Sequence, residues 1–158
     1  MKNIKMAVIV GVLAGAWTFF ALQVGEIGGV TLHAWPVFLA WALYFAAGAN
    51  DEAAVKVATG SIWGMTWGWL SVTIGIDVLG DALGAPLGVG LAVMVLAALI
   101  VIMMTDIKFL SFGPGAFATW AVYFGTGFDF VGGLLMLFVG VILGVISVKL
   151  TGLVTKAK

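Results

Sequence analysis

Long apolar stretches alternate with short polar groups along the whole chain. Each stretch approaches the roughly 20 residues that a helix needs to cross the hydrocarbon core of a bilayer. The six stretches lie at residues 6–24, 33–49, 57–76, 83–104, 110–127 and 130–150. They are continuous runs and lack the alternation of apolar and polar residues that a membrane-spanning strand shows. Because backbone amides in lipid must be bonded within their own segment, the pattern predicts an all-α polytopic membrane protein with six transmembrane helices.

The basic residues indicate how these helices are oriented. With six spans and a cytoplasmic N-terminus, every lysine falls on the cytoplasmic side, as the positive-inside rule requires. The lysines are Lys2, Lys5, Lys56, Lys108, Lys149, Lys156 and Lys158. The outer loops then carry only carboxylates and one histidine. We therefore predict that both termini are cytoplasmic, and that the lysine-led start is a retained first span and not a signal peptide.

Composition supports a lipid environment and excludes several classes of partner. Hydrophobic residues make up 63% of the 158 residues and charged residues 9%, whereas a soluble domain has about 25% charged residues. Membrane lipid is therefore the expected surrounding. The net charge is zero, so no basic surface attracts nucleic acid. The chain has no cysteine, which excludes disulfides and thiolate metal sites.

One segment occurs twice in the chain. "PVFLAWALYFAAG" covers residues 36–48 and "PGAFATWAVYFGTG" covers residues 114–127. The identical pairs are 79 positions apart, which is half of the chain: Phe38/Phe117, Trp41/Trp120, Ala42/Ala121, Tyr44/Tyr123, Phe45/Phe124 and Gly48/Gly127. The duplication predicts one membrane domain, residues 1–158, built from two repeats at residues 1–79 and 80–158.

Each repeat contains three predicted spans, and this odd number has a topological consequence. The second repeat enters the membrane from the opposite side, so the two copies are expected to be inverted. Pro36 and Pro114 then start their helices near opposite faces, in the first turn where a proline fits and where free amides carry partial positive charge. Glycines extend the match: Gly11 falls on Gly90 and, with one extra residue, Gly60 and Gly64 fall on Gly140 and Gly144.

The repeated aromatic residues are the candidate functional residues. On a helix, rings spaced by three and four positions share one face, as do Phe38, Trp41 and Phe45 and their counterparts Phe117, Trp120 and Phe124. One interpretation is an aromatic-lined pore, with Tyr44 and Tyr123 supplying hydroxyl groups. The other is that the rings only pack between helices. Tryptophan near mid-span is not typical of an interfacial belt, which favours the pore.

The remaining polar residues suggest few roles. His33, the only histidine, is a possible sensor of external pH, because histidine changes charge near pH 6.5; an interfacial residue without a role is the alternative. Asn50 and Asp129, again 79 positions apart, each follow a repeated helix and are expected to terminate it; a charge in a pore vestibule is the alternative. No metal-ligand cluster or catalytic motif is present, so neither an enzyme nor a cofactor is expected. No carboxylate lies in mid-span, which argues against an ion-coupled carrier.

The repeated segments also carry a family resemblance. At "WPVFLAWALYFAAG", "GPGAFATWAVYFGTG", "GVLAGAWTFF" and "SIWGMTWGWL", the chain resembles small bacterial inner-membrane proteins grouped as domain-of-unknown-function family 1097. This implies the bacterial inner membrane as location and no particular activity. "PGAFATWAVYF" is also similar to the pattern of urea transporters, in which two inverted halves carry proline-led helices before aromatic slots. This chain is much shorter and has no clear ladder of oxygen ligands.

Together these features predict a passive channel for a small, mostly uncharged polar solute, of the urea, amide or ammonia class. A homo-oligomer is expected. A channel for small monovalent anions such as formate, acetate or nitrate is one alternative, because two helix N-termini face the proposed path. A membrane scaffold that transports nothing, with aromatic residues that only pack, is the other.

Overall fold

The described part of the chain is helical, apart from one short hairpin. The computed structural model describes residues 2–107 and 112–156. The elements in chain order are α1 (Lys2–Val24), β1 (Glu26–Ile27), β2 (Val30–Thr31), α2 (Ala34–Ala46), α3 (Asp51–Thr73), a π-helical segment (Ile74–Val78), α4 (Gly80–Leu83), α5 (Ala85–Asp106), α6 (Gly113–Gly125) and α7 (Phe130–Lys156).

Three helices among the described residues are long and apolar enough to cross a membrane. They are Ile4–Val24 in α1, Ala85–Asp106 in α5 and Phe130–Thr155 in α7. These helices indicate a membrane protein, and the all-α prediction is confirmed. The finer prediction of six spans is not confirmed.

The other predicted spans differ from expectation in length or polarity. The segments predicted at 33–49 and 110–127 contain the helices α2 and α6, each of 13 residues. Residues 110 and 111 of the second segment lie outside the described residues. At 1.5 Å per residue each is about 20 Å long, which is less than the roughly 30 Å of hydrocarbon. α3 has the necessary length, with 23 residues, but its glycines, hydroxyl residues and tryptophans lower its hydropathy.

The hairpin follows from its glycines. Gly25 (φ 71°) ends α1 in the left-handed conformation, which glycine adopts without steric cost. Gly28 (φ 59°) and Gly29 (φ 83°) then form the two-residue loop between Ile27 and Val30. Positive φ at both central positions is the geometry of the tight hairpin turn that Gly-Gly favours. The hairpin returns the chain to the start of α2.

The core is formed by crossed contacts between the two halves of the chain. α2 packs on α7, α6 packs on α3, and α3 also contacts α7. Residue numbers rise together along both packed helix pairs. In the α3–α6 pair, Gly60 lies against Gly115, Gly64 against Ala116 to Trp120, and Gly68 against Tyr123. α3 and α6 therefore run in the same direction.

The long apolar helices lie outside this core. α1 contacts α7, and α5 packs mainly against the π-helical segment. There Gly75 lies so close to Val89 of α5 that a Cβ at Gly75 would overlap the backbone of Val89. α1 is the most exposed of the three candidate spans, because only 6% of its most apolar window is buried. It therefore presents most of its surface to lipid or to another chain.

Candidate functional site

Two tryptophan–serine hydrogen bonds join the halves of the chain. The indole Nε1 of Trp41 in α2 donates to Ser147 Oγ in α7, at 3.3 Å. Trp120 Nε1 in α6 donates to Ser71 Oγ in α3, also at 3.3 Å. Each tryptophan therefore reaches a serine in the opposite half. The two tryptophans are 79 positions apart and the two serines 76.

The helices that accept these tryptophans share a sequence motif. "GMTWGWLS" at residues 64–71 and "GVILGVIS" at residues 140–147 both read Gly-x-x-x-Gly-x-x-Ser. Both glycines of each motif lie directly against the opposite short helix. A Cβ on Gly64 would overlap Thr119 Oγ1 and the Ala116 carbonyl oxygen, and one on Gly140 would overlap the Val37 carbonyl oxygen. We call these two stretches the glycine-serine motifs.

The motifs correct the sequence alignment of these two helices. The alignment of Gly60 and Gly64 with Gly140 and Gly144 is wrong by one helical turn. The contacts relate Gly64 to Gly140 and Gly68 to Gly144, each 76 positions apart. The shared Gly-x-x-x-Gly-x-x-Ser spacing was the signal that could have shown this. By contrast, a Cβ at Gly11 or Gly90 would meet nothing within 4 Å.

The six repeated rings are divided between two grooves. Groove one has a volume of about 190 Å³ and is lined by Val10 and Ala14 of α1 with Phe38, Trp41, Ala42 and Phe45 of α2. Groove two has a volume of about 220 Å³ and is lined by Val93 and Ala97 of α5 with Phe117, Trp120, Ala121 and Phe124 of α6. All four lining residues from each short helix are counterparts 79 positions apart. Each groove thus lies between a short helix and a long apolar helix.

Within each groove the residue types occupy distinct depths. Trp41 and Trp120 are only 3% and 5% exposed and form the groove floors. Phe38, Phe117 and Phe124 are 38–41% exposed and lie at the edges, and Phe45 is half-buried. Tyr44 and Tyr123 are buried against Gly144 and Gly68. These tyrosines therefore lie in the core and not among the groove-lining residues.

The prolines lie in the first turns of their helices. Pro36 is the third residue of α2 and is buried, whereas Pro114 is the second residue of α6 and is exposed. They are 78 positions apart, one residue out of register with the aromatic pairs. Proline at these positions removes no helical hydrogen bond, because first-turn amides have no partner within the helix.

The turns that follow the two short helices have the same geometry. Gly48 and Ala49 have positive φ, as do Gly127 and Phe128. Asn50 then accepts from the Ala53 amide and Asp129 accepts from the Gly132 amide, each at 2.8 Å. Both side chains are therefore N-caps that start the next long helix. α2 and α6 end before these residues, which start the following helices, so the expectation that they terminate the repeated helices is wrong.

His33 lies where the two turns differ in chemistry. Its Nε2 is 2.9 Å from Asp129 Oδ2, while Asp129 Oδ1 caps α7. His33 precedes α2 and Phe112 precedes α6, so Phe112 is the counterpart of His33. The counterpart of Asp129 is Asn50. The structure therefore gives His33 a carboxylate partner, which the sequence pattern did not reveal.

The buried hydroxyl groups are satisfied inside the fold. Thr119 Oγ1 lies 2.9 Å from the carbonyl oxygen of Gly60 in α3, and Ser61 and Thr151 donate to carbonyl oxygens of their own helices. No group of histidine, cysteine and carboxylate residues that could hold a metal ion occurs in the described part of the chain. Trp63 Nε1 in α3, in contrast, is buried without a hydrogen-bond partner among the described residues.

Comparison with known proteins gives one family. The sequence matches the family described as "Protein of unknown function (DUF1097)" over residues 7–152. The chain belongs to this family. No curated protein and no solved structure matches it, so the likeness to urea transporters is not supported.

Proposed function

We propose that this member of the DUF1097 family is a passive facilitator for a small, mostly uncharged polar solute, of the urea, amide or ammonia class. The observation that carries the proposal is the pair of matching aromatic grooves, one in each half of the chain. Each groove has a tryptophan floor and phenylalanine edges. The proposal has three parts, which concern topology, route and selectivity.

The topological part is an inverted repeat of three helical segments in each half. Crossed packing, in which α2 contacts α7 and α6 contacts α3, is the reciprocal pattern that a twofold axis produces. The equivalent turns after α2 and α6 return the chain across the membrane, so that α2 and α6 point in opposite directions. α2 and α6 cross only part of the bilayer, as the short helices of inverted-repeat transporters do.

The placement of both termini on one side has its own support. Lys5 Nζ near the start of α1 donates to the carbonyl oxygen of Val154 near the end of α7, at 2.6 Å. Two helix ends in contact lie at the same face of the membrane, as an even number of crossings requires. The lysine distribution makes this face the cytoplasmic one, in the bacterial inner membrane.

The proposed route follows the grooves. Within the core, the backbones of α3 and α6 meet at Gly64, and the buried serine and threonine hydroxyls are bonded internally. The grooves, in contrast, open on the surface beside α1 and α5. We propose that a neighbouring copy of the chain covers them, so that the homo-oligomer forms the enclosed path.

The aromatic lining determines which solutes pass. A narrow apolar passage excludes hydrated ions, because removing water from a charge there is too costly. The anion alternative is less well supported, because the carboxylate of Asp129 lies beside His33 at the start of α2. A negative charge at this helix N-terminus opposes the entry of anions.

A second candidate function is a scaffold that transports nothing. The specific observation in its favour is that the buried serine and threonine hydroxyls are hydrogen-bonded within the single chain. In this case the aromatic residues pack against lipid or against another copy. The same experiment separates the two candidates.

The test is stopped-flow shrinkage of proteoliposomes in gradients of urea, acetamide, glycerol, ammonia and formate. The variants Ala42→Leu and Ala121→Leu fill the grooves from exposed lining positions. Ala98→Leu is a matched control on an exposed face of α5 outside the grooves. We expect wild-type and control to accelerate the equilibration of one neutral solute, and both groove variants to abolish most of the increase. Equal rates with and without protein for every solute would favour the scaffold, and flux unchanged by both groove variants would exclude the grooves as the route.

A further inference from the structure

We infer that Ser71 and Ser147 are positioning residues for the two grooves, each of which holds the tryptophan of a groove floor from the opposite half of the chain. The inference rests on the proposed function only in that it concerns the same grooves. The hydrogen bonds themselves can be tested without any transport measurement.

Each serine hydroxyl makes two hydrogen bonds in a dry environment. Ser147 Oγ donates to the Gly144 carbonyl oxygen at 2.7 Å and accepts from Trp41. Ser71 Oγ donates to the Gly68 carbonyl oxygen at 2.7 Å and accepts from Trp120. Both serines are 0% exposed. Since a hydroxyl has one hydrogen to donate and two lone pairs to accept with, its hydrogen is committed to the helix and a lone pair is left for the indole.

The glycine three positions before each serine allows the short helix to come close enough for the hydrogen bond. A Cβ at Gly144 would be 3.2 Å from Trp41 Cδ1, and one at Gly68 would be 2.7 Å from the Cβ of Tyr123. Any larger residue would push the short helix away from the serine. The last four positions of each glycine-serine motif therefore act together: glycine admits the short helix, and serine accepts the indole N–H.

The hydrogen bond determines which part of the indole faces the groove. A buried tryptophan needs an acceptor for its N–H, and the serine satisfies it on the side away from the groove. The apolar part of the ring is then left to form the floor. Without the serine hydroxyl, the N–H would turn toward the groove opening to find water, and the floor would become polar.

The indole N–H signals provide a direct test, by NMR of protein labelled with ¹⁵N-tryptophan in detergent micelles. The chain has seven tryptophans, and Trp41→Phe and Trp120→Phe variants assign the two relevant signals. Ser147→Ala should shift the signal of Trp41 and speed its hydrogen–deuterium exchange by about tenfold or more, with Trp120 unchanged; Ser71→Ala should do the reverse. Trp67, which donates to the Leu96 carbonyl oxygen at 3.0 Å, should be unaffected in both variants.

Two results would overturn the inference. One is that the Trp41 and Trp120 signals are unchanged in the serine variants. The other is that both signals change equally in each variant, which would indicate a general loosening of the fold. If a serine variant does not fold, Trp41→Phe alone gives the answer, because removal of this indole should shift the hydroxyl signal of Ser147 and leave that of Ser71 in place. A change at neither serine would contradict the inference. All these readouts are independent of solute flux, so failure of the proposed function would not alter them.

Discussion

His33 lies 2.9 Å from Asp129, and this contact joins the residue before α2 to the residue before α7. One carboxylate performs two tasks there, since its other oxygen caps α7 at the Gly132 amide. In the other half, Asn50 performs only the capping task. The same turn is thus used twice, once with a neutral cap and once with a charged cap that has a histidine partner.

The role of Asp129 as a cap can be separated from its contact with His33. Asp129→Ala removes both and should lower the free energy of unfolding by about 0.5–2 kcal/mol. Asp129→Asn keeps a capping oxygen, as Asn50 does, and should cost clearly less. Thermal unfolding in detergent micelles measures both. Equal losses in the two variants would show that the contact with His33, and not the cap, is the larger contribution.

The close contact at the glycine-serine motifs predicts a matched pair of destabilising variants. Gly64→Ala and Gly140→Ala place a methyl group against backbone and side-chain atoms of α6 and α2, so each should cost about 1–3 kcal/mol. Gly15→Ala is the control, because a Cβ there meets nothing within 4 Å and alanine favours the helix. Chemical denaturation of the three variants checks this. If Gly64→Ala and Gly15→Ala are equally stable, α3 and α6 do not meet as described.

Substitution by glycine should have opposite effects on stability at Ala49 and Phe128, which are equivalent positions in the two turns. Ala49 has φ 54° and Phe128 has φ 70°, a conformation that costs a non-glycine residue about 1–2 kcal/mol. Ala49→Gly should therefore be neutral or stabilising by up to about 1 kcal/mol, after the greater freedom of glycine in the unfolded chain is included.

Phe128→Gly should instead be destabilising by about 1 kcal/mol, because the Phe128 ring contacts Tyr123 and Phe124 at centroid distances of 5.5 and 5.8 Å. Unfolding midpoints of the two variants, measured side by side, give the comparison. Stabilisation by Phe128→Gly would mean that these ring contacts contribute little.

The cross-half hydrogen bond predicts coupling between its two residues. Trp41→Phe and Ser147→Ala each remove it, so the double variant should lose less stability than the sum of the single losses, with a coupling of about 0.5–1.5 kcal/mol. Trp41→Phe combined with Ser71→Ala should be additive, since these two residues belong to different pairs. Coupling in the second combination and none in the first would contradict the assigned pairs.

Part of this fold could be predicted from the sequence because it is local. Helix content follows from continuous apolar runs, and the repeated aromatic segment identified α2 and α6 with their turns. The length of α2 was overestimated, because residues 47–49 carry no polar side chain that would mark the end of the apolar run. The helix ends where Gly48 and Ala49 take positive φ. Apolar character alone does not distinguish a helix from the turn that follows it.

Other parts depend on contacts between distant residues. The alignment of the α3 sequence with the α7 sequence was wrong by one helical turn, because glycine-rich apolar helices align almost equally well at shifts of three or four residues. The partners of Trp41 and Trp120 lie 106 and 49 positions away in sequence, so no local pattern reports them. The division of the rings between two grooves depends on where α1 and α5 pack, and their sequences are nearly uniform in hydropathy.

The most direct test of the account is the sidedness of two equivalent positions. Glu52 and Val131 are exposed, 79 positions apart, and lie just after the two equivalent turns. Because the chain has no native cysteine, Glu52→Cys and Val131→Cys can be labelled singly in intact cells with a membrane-impermeant maleimide. An inverted repeat predicts that Val131→Cys is labelled from outside and that Glu52→Cys is labelled only after the membrane is opened. Labelling of both positions from the same side would contradict it.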